Sequence, residues 1–290
     1  MNLINIYKKS FYTVFANPAV TLFLILFLIA SNFLSSYMVV ARTKIVAMIL
    51  FFCAFLLGLC FISGWLQIMK DVSEDEKAEN KNYFAIFLEG IGRNIIPIGI
   101  GGFIYTLLIT ILFLITGKIA FHLFGSLDFI LKDLANLVYD NNALMEYFSK
   151  LDVNQKYTIY SWQLSFIFAS MIFNFIMLFY FPALIFDNSK NIFLRPLIAL
   201  KNAICFLFKN FFTSILIYLS IYFTYMCLMI LNALFSANVI ISILLLLFYI
   251  YFISLAVMLT FNYYGQKNNS NNGCDSIRED ENLDKPSKEL

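Results

Sequence analysis

The sequence predicts an all-α polytopic membrane protein: six transmembrane helices with amphipathic interfacial helices, arranged as three copies of an interfacial helix plus a helical hairpin. Three observations predict it. Of 290 residues, 61% are hydrophobic and 13% charged, against roughly half apolar and a quarter charged in soluble domains. The apolar residues gather into runs of the length that a bilayer crossing needs, about 20 residues. The charges gather in the connectors, and with a net charge of +2 no continuous basic surface for nucleic acid arises.

Taken in order, the chain opens on an amphipathic helix over residues 1–17, with Ile4, Tyr7, Phe11 and Phe15 at helical spacing and Lys8 and Lys9 on the other side. Asn17-Pro18 marks its end, because the residue before proline is pushed out of helical geometry while proline suits a first turn. The first span covers about residues 19–40, too long for the apolar core of a signal peptide, about 7 to 15 residues. Arg42 and Lys44 form a turn, and residues 45–69 form the second span, with Ala54 and Gly58 as a small-xxx-small packing pair. Residues 70–81 read as a solvated linker, since its acids lack the spacing and central glycine of a calcium loop.

An amphipathic segment returns over residues 83–94, with Phe84, Phe87, Leu88 and Ile91 apolar and Glu89 four residues before Arg93. The third span is about 95–116, and its Gly99, Gly101 and Gly102 are read as close helix packing. Residues 117–160 make the longest loop, external, in which Phe129, Ile130, Leu134, Leu137 and Val138 suggest a helix against the membrane face. The fourth span is 161–186. Residues 210–266 contain no Asp, Glu, Lys or Arg, enough for two spans, 211–235 and 239–264, turning at Ser236-Ala237-Asn238. Residues 1–266 are thus one membrane domain, and the polar 267–290 has too little apolar surface to offset its ordering entropy and reads as a disordered tail.

The connector between the fourth and fifth spans is the most informative stretch. Phe193, Leu197, Leu200, Ile204 and Phe208 recur at steps of three or four, with Arg195, Lys201 and Lys209 along the remainder. Such a helix lies at the headgroups, apolar stripe inward, with its cations snorkelling to water. Lys8, Lys9, Arg93, Arg195, Lys201 and Lys209 are accordingly the predicted membrane-interface residues. Each amphipathic segment ends at an asparagine, Asn17, Asn94 or Asn210, and is followed by two spans, which is the threefold repeat. The cation distribution favours both termini in the cytoplasm.

Phe181-Pro182 at a span end, the polar turn Asp187-Asn188-Ser189-Lys190, and Phe208-Lys209-Asn210-Phe211 before a span resemble the six-span YciC-like bacterial inner-membrane proteins. They also resemble the membrane domain fused to some glycerophosphodiester phosphodiesterases. The resemblance covers about the first 265 residues and implies a multi-pass protein of the bacterial cytoplasmic membrane. The phosphodiesterase chemistry of the fused relatives resides in a separate soluble barrel, so no catalytic residue carries over. Pro196 departs from the pattern and implies that the connector helix starts or kinks there.

No span carries an ionisable residue in its middle, where proton and ion pathways would place one. The five cysteines show no metal or CxxC spacing and are read as helix-packing residues, and His122 is the only histidine. The expectation is therefore a non-enzymatic membrane protein without metal or cofactor, a scaffold, sensor or envelope support. Its partners are the lipid bilayer and a membrane-protein partner or second copy. The alternative is a transporter or permease subunit for a lipid or apolar molecule, lined by Asn32, Gln67, Gln163, Asn174 and Asn232.

Overall fold

A computed structural model describes residues 3–40, 43–74, 82–128, 141–187, 189, 191–235 and 238–283, with the side chains of 39, 141–145 and 268–283 left aside. The predicted turns at Arg42, Asn188, Lys190 and Ser236-Ala237, most of the 70–81 linker, the 129–138 helix and the last residues of the tail lie outside the described residues.

The described elements are all helices: α1 (Leu3–Ala16), α2 (Pro18–Val40), α3 (Lys44–Glu74), α4 (Tyr83–Phe124), α5 (Asn141–Lys150), α6 (Val153–Ile176), α7 (Tyr180–Phe186), α8 (Arg195–Lys209), α9 (Phe211–Phe235) and α10 (Val239–Leu283). Six of the helical stretches are long and apolar enough to cross a membrane: Pro18–Met38, Lys44–Glu74, Tyr83–Phe124, Val153–Phe186, Phe211–Phe235 and Val239–Lys267. Only 6 to 28% of the most apolar window in each is buried within the protein. Bulky side chains therefore cover the outside of the spans, as contact with lipid tails requires.

Three boundaries differ from expectation. The amphipathic segment before the third span is no separate helix, because α4 runs unbroken through both. The fourth span begins earlier, at Val153, and is interrupted at Met177–Phe179 before α7 resumes. Where the sequence reads as a disordered tail over 267–290, α10 continues as helix to Leu283. Asn and Ser are weak helix formers, but a helix already nucleated in the sixth span extends one bond per residue with no new nucleation cost. Pro196 falls at the first turn of α8, where its missing N–H has no partner to lose.

The chain forms two compact units, Met1–Gly101 with Met177–Leu290, and Gly102–Ile176. In the first unit, α10 packs against α1, α2, α3, α7 and α9. The core lies where the second span of each hairpin ends: Trp65, Ile68, Met69 and Val72 of α3, Phe179, Tyr180 and Pro182 to Ile185 around α7, and Met258 to Tyr264 of α10 are buried there. Aromatic edges join them, with Phe206 of α8 placing its ring 4.9 Å from Phe179 and 4.7 Å from Tyr264. Helices α3 and α4 cross closely: a Cβ at Gly90 would stand 2.6 Å from the Gln67 Cβ and 2.9 Å from the Ser63 carbonyl oxygen. The small-residue signal thus falls at Gly90 and not at Gly58, which has nothing within 4 Å. Gly101 does pack closely, against the Tyr180 hydroxyl, whereas Gly102 meets open space.

The second unit pairs the far part of α4 with α6. Tyr105 donates to Asn174 Oδ1 at 3.0 Å and sets its ring edge-on to Phe173, and Phe113 meets Phe166 in the same way. Gly125, with φ of +87°, ends α4. Its N–H returns to the Phe121 carbonyl at 3.0 Å, a left-handed cap that only glycine adopts without strain. The indole of Trp162 donates to the Gly125 carbonyl at 3.1 Å.

Candidate membrane-interface site

The three amphipathic segments share one design. In α1, Ile6, Ser10, Thr13 and Val14 are buried against the protein, Ile4, Phe11 and Phe15 are exposed, and Lys8 is exposed beside the half-buried Lys9. At the start of α4, Gly90 and Asn94 are buried, Phe84 and Leu88 exposed, and Glu89 and Arg93 exposed on a third side. In α8, Arg195, Pro196, Ala199, Ala203, Phe206 and Leu207 are buried, Leu197 and Phe208 exposed, and Lys201 and Lys209 exposed. At about 100° per residue the three sets separate at the start of α4, whereas in α1 and α8 Lys8 and Lys201 fall about 20° from Phe15 and Phe208 and share their side of the helix. Each segment therefore has a protein face and an exposed face that carries bulky apolar and charged side chains together. That is the arrangement for lying where protein, lipid and water meet.

The asparagines that end the segments divide two to one. Asn17 donates its side-chain amide to the Thr13 carbonyl at 2.8 Å, and Asn210 does the same to Phe206 at 3.1 Å. Each of these carbonyls also accepts the backbone N–H of the same asparagine, at 3.2 Å for Asn17 and 3.1 Å for Asn210, so the asparagine closes the last turn twice. Tyr83 also donates to Asn17 Oδ1 at 2.5 Å, tying α4 to the α1–α2 junction. Asn94 sits inside continuous helix, where its own turn needs no cap, and its side chain reaches sideways. Its amide nitrogen donates to Gln67 Oε1 at 3.0 Å, and its oxygen accepts from Arg195 Nη2 at 3.0 Å.

Arg195 is the sharpest departure from the interface reading. Four of the predicted cations, Lys8, Arg93, Lys201 and Lys209, are exposed and Lys9 is half-buried, but Arg195 is 4% exposed. Its side chain does not snorkel to water. Nε donates to the Leu184 carbonyl at 2.9 Å, and Nη2 reaches the Ile185 carbonyl at 3.5 Å besides Asn94. Both carbonyls belong to the last turn of α7, which lacks intrahelical donors and carries the negative end of the helix dipole. The guanidinium fork closes that turn and joins α7, α8, α4 and, through Gln67, α3. Burial depresses the Arg195 pKa, the charge of Arg93 lowers it further, and Asp187 opposes the shift. An arginine stays protonated under such a shift.

The network continues along α3. Gln67 donates to Asp71 Oδ1 at 2.8 Å, and the ammonium of Lys70, buried on the same helix, lies 5.3 Å from the Phe186 ring centroid, within cation–π range. Sequence reasoning placed Lys70 in a solvated linker and passed over Asn94 as a boundary. The signal that marks the protein-facing stripe was available in α8, where Ala199 and Ala203 stand on the same side as Arg195 and Pro196. Small residues mark the side on which helices approach.

The five polar residues of the transporter alternative have separate surroundings. Gln67 belongs to the Arg195 network, Asn174 is bonded to Tyr105, and Asn32 and Gln163 are exposed. Asn232 lines a cavity of about 370 Å³ between α9 and α10, together with Tyr225, Met229, Ser242, Leu246 and Tyr249. Of the cysteines, Cys53 and Cys205 are exposed and Cys60 and Cys227 half-buried, so the packing role expected for all of them does not extend to the first two. Comparison with known families, with curated proteins and with solved structures finds no match to this chain.

Proposed function

We propose that this multi-pass membrane protein is non-enzymatic and acts through its three amphipathic segments, which sit at the headgroups of a bacterial cytoplasmic membrane and support the lipid phase or a partner. The observation that carries this reading is the repeated amphipathic segment, with bulky apolar residues turned away from the protein beside exposed cations, Lys8 in α1, Arg93 in α4, and Lys201 and Lys209 in α8. The deepest polar cluster supports it too: Arg195, Asn94 and Gln67 direct their polar atoms at one another and at helix-end carbonyls, which is the work of a clamp. Each lysine near an anionic surface contributes on the order of 1 kcal/mol. The charge distribution supports a cytoplasmic side for both termini and all three segments.

The test is reconstitution of the full chain in vesicles with and without anionic lipid. Anionic lipid should raise the unfolding temperature. Changing Lys8, Lys9, Lys201 and Lys209 together to Gln should remove that increment, and solute and lipid flux should equal that of empty vesicles. Protein-dependent flux would overturn the proposal in favour of transport. That second reading draws on the cavity between α9 and α10, apolar but for Asn232, Ser242 and two tyrosines, which suits a lipid chain.

A further inference from the structure

The cavity between α9 and α10, about 370 Å³, has the size of a small-molecule site, about 300–1,000 Å³. Its polar groups fall on two levels. Tyr225 and Asn232 of α9 are seven residues apart, and so are Ser242 and Tyr249 of α10, so each pair shares one side of its helix, two turns and about 10 Å apart. Because α9 ends at Phe235 and α10 begins at Val239, Asn232 stands level with Ser242, one turn in from the helix ends. Tyr225 stands level with Tyr249, their ring centroids 6.2 Å apart. Leu228, Met229, Leu245 and Leu246 form an apolar band between the two levels. Asn232 is exposed and the other three half-buried, with accessible polar atoms. Among the described residues none of the four side chains has a hydrogen-bond partner, and beside lipid tails there is little water to supply one. Residues 210–266 contain no Asp, Glu, Lys or Arg, so the lining offers a charged head no counter-charge. The cavity therefore suits a neutral molecule with donors and acceptors at one end and an apolar chain at the other.

We propose that the cavity between α9 and α10 binds a neutral glyceride, a glycerol head with free hydroxyls ester-linked to an acyl chain. Asn232 and Ser242 both donate and accept, which is what free hydroxyls require, and the tyrosine hydroxyls donate to the ester carbonyl. The apolar band takes the first part of the chain, and the exposed Met229 and Leu246 flank its way out into lipid. A phospholipid or a fatty acid would bring an anion to a lining without a cation. A quinone ring has acceptors only and would leave the Asn232 and Ser242 oxygens without a donor. The inference stands apart from the interface role of the amphipathic segments, none of whose residues lines this cavity.

The experiment incubates the full chain in detergent micelles with tritiated monooleoylglycerol and counts the label retained on gel filtration above that carried by empty micelles. Unlabelled monooleoylglycerol, oleic acid, oleoyl lysophosphatidylcholine and decylubiquinone then compete for it. About one glyceride per chain should be retained, as for a single site, and unlabelled glyceride should displace it about tenfold more effectively than the other three, the difference expected of one or two hydrogen bonds. Asn232→Leu, and Tyr225→Phe with Tyr249→Phe, should each weaken retention about fivefold and narrow the gap between competitors. Both replace polar groups by apolar ones within apolar spans and so keep the spans intact. Ser242→Leu, which fills the cavity, should abolish retention, and Asn32→Leu, the same kind of change on the exposed side of α2, should leave it unaltered. Retention no greater than by empty micelles, equal displacement by the charged amphiphiles, stronger displacement by the quinone, or wild-type retention in all three cavity variants would each overturn the proposal. The vesicle test of the interface reading turns on anionic lipid and on lysines, neither of which enters this comparison, so the two can fail separately.

Discussion

Replacing Arg195 by Leu tests the clamp directly. The substitution removes two well-formed charge-assisted bonds, at 2.9 Å to Leu184 and 3.0 Å to Asn94, and a longer one at 3.5 Å to Ile185. Hydrogen bonds to charged groups contribute about 1.5–3 kcal/mol each, so the two short ones account for roughly 3–6 kcal/mol. Against that stands the desolvation of a buried guanidinium, several kcal/mol, which the neutral side chain no longer incurs. The acceptors left behind stay buried, and the net expectation is a loss of about 3 kcal/mol, within the range for breaking a buried polar network. Arg195→Lys keeps the charge, but a point donor on a flexible stem cannot hold the Leu184 carbonyl and Asn94 together as a planar fork does, and it should lose about 1–2 kcal/mol. The assay is reversible unfolding in mixed micelles, followed by Trp65 fluorescence. A double-mutant cycle with Asn94→Leu should show coupling of at least about 1 kcal/mol. Wild-type stability of Arg195→Leu, or additivity of the two changes, would refute the clamp.

Gly90→Val places a branched side chain against the Gln67 Cβ and the Ser63 carbonyl and should destabilise the α3–α4 crossing by about 1–3 kcal/mol, read in the same micelle titration, whereas Gly58→Ala should be neutral. Trp65→Phe removes the indole bond to the Val20 carbonyl, made at 2.9 Å, and should lose about 1 kcal/mol, read by circular dichroism because the variant lacks the Trp65 fluorophore. Deleting residues 268–290 should leave insertion and detergent stability intact, because the segment is polar and continues α10 beyond its apolar part. Size-exclusion of the truncated chain checks this, and an aggregated product would contradict it. Reporter fusions after Asn80, Asp140 and Asn191 should read cytoplasm, outside and cytoplasm, and an outside signal at Asn191 would invert the topology.

Hydropathy made the spans legible because a bilayer crossing demands little beyond length and apolarity, and the fifth span runs over Phe211–Phe235 as read. Faces were harder. A periodic stripe of Phe193, Leu197, Leu200, Ile204 and Phe208 identifies an apolar side of α8 without saying whether protein or lipid meets it. Arg195 shows the consequence: as a cation in a connector it belongs with Lys201 and Lys209 by composition, yet it falls on the stripe of Ala199 and Ala203 and turns inward. Asn94 was hidden because asparagine before a span suggests a cap, and only the continuity of α4 releases its side chain for Gln67 and Arg195.

The continuity of α4 also bears on how the chain meets bilayers of different thickness. Helices α1 and α2 are separated at Asn17, and α8 and α9 at Asn210, so in those two repeats the interfacial segment can change its angle to the span that follows. The 42 residues of α4 are about twice the roughly 20 that a bilayer crossing needs. Its interfacial end is held by Asn94 and by the Tyr83–Asn17 bond, and Pro97 is the point at which one helical bond is missing. A thinner membrane would therefore be met in this repeat by bending at Pro97, while the other two repeats adjust at their asparagine joints.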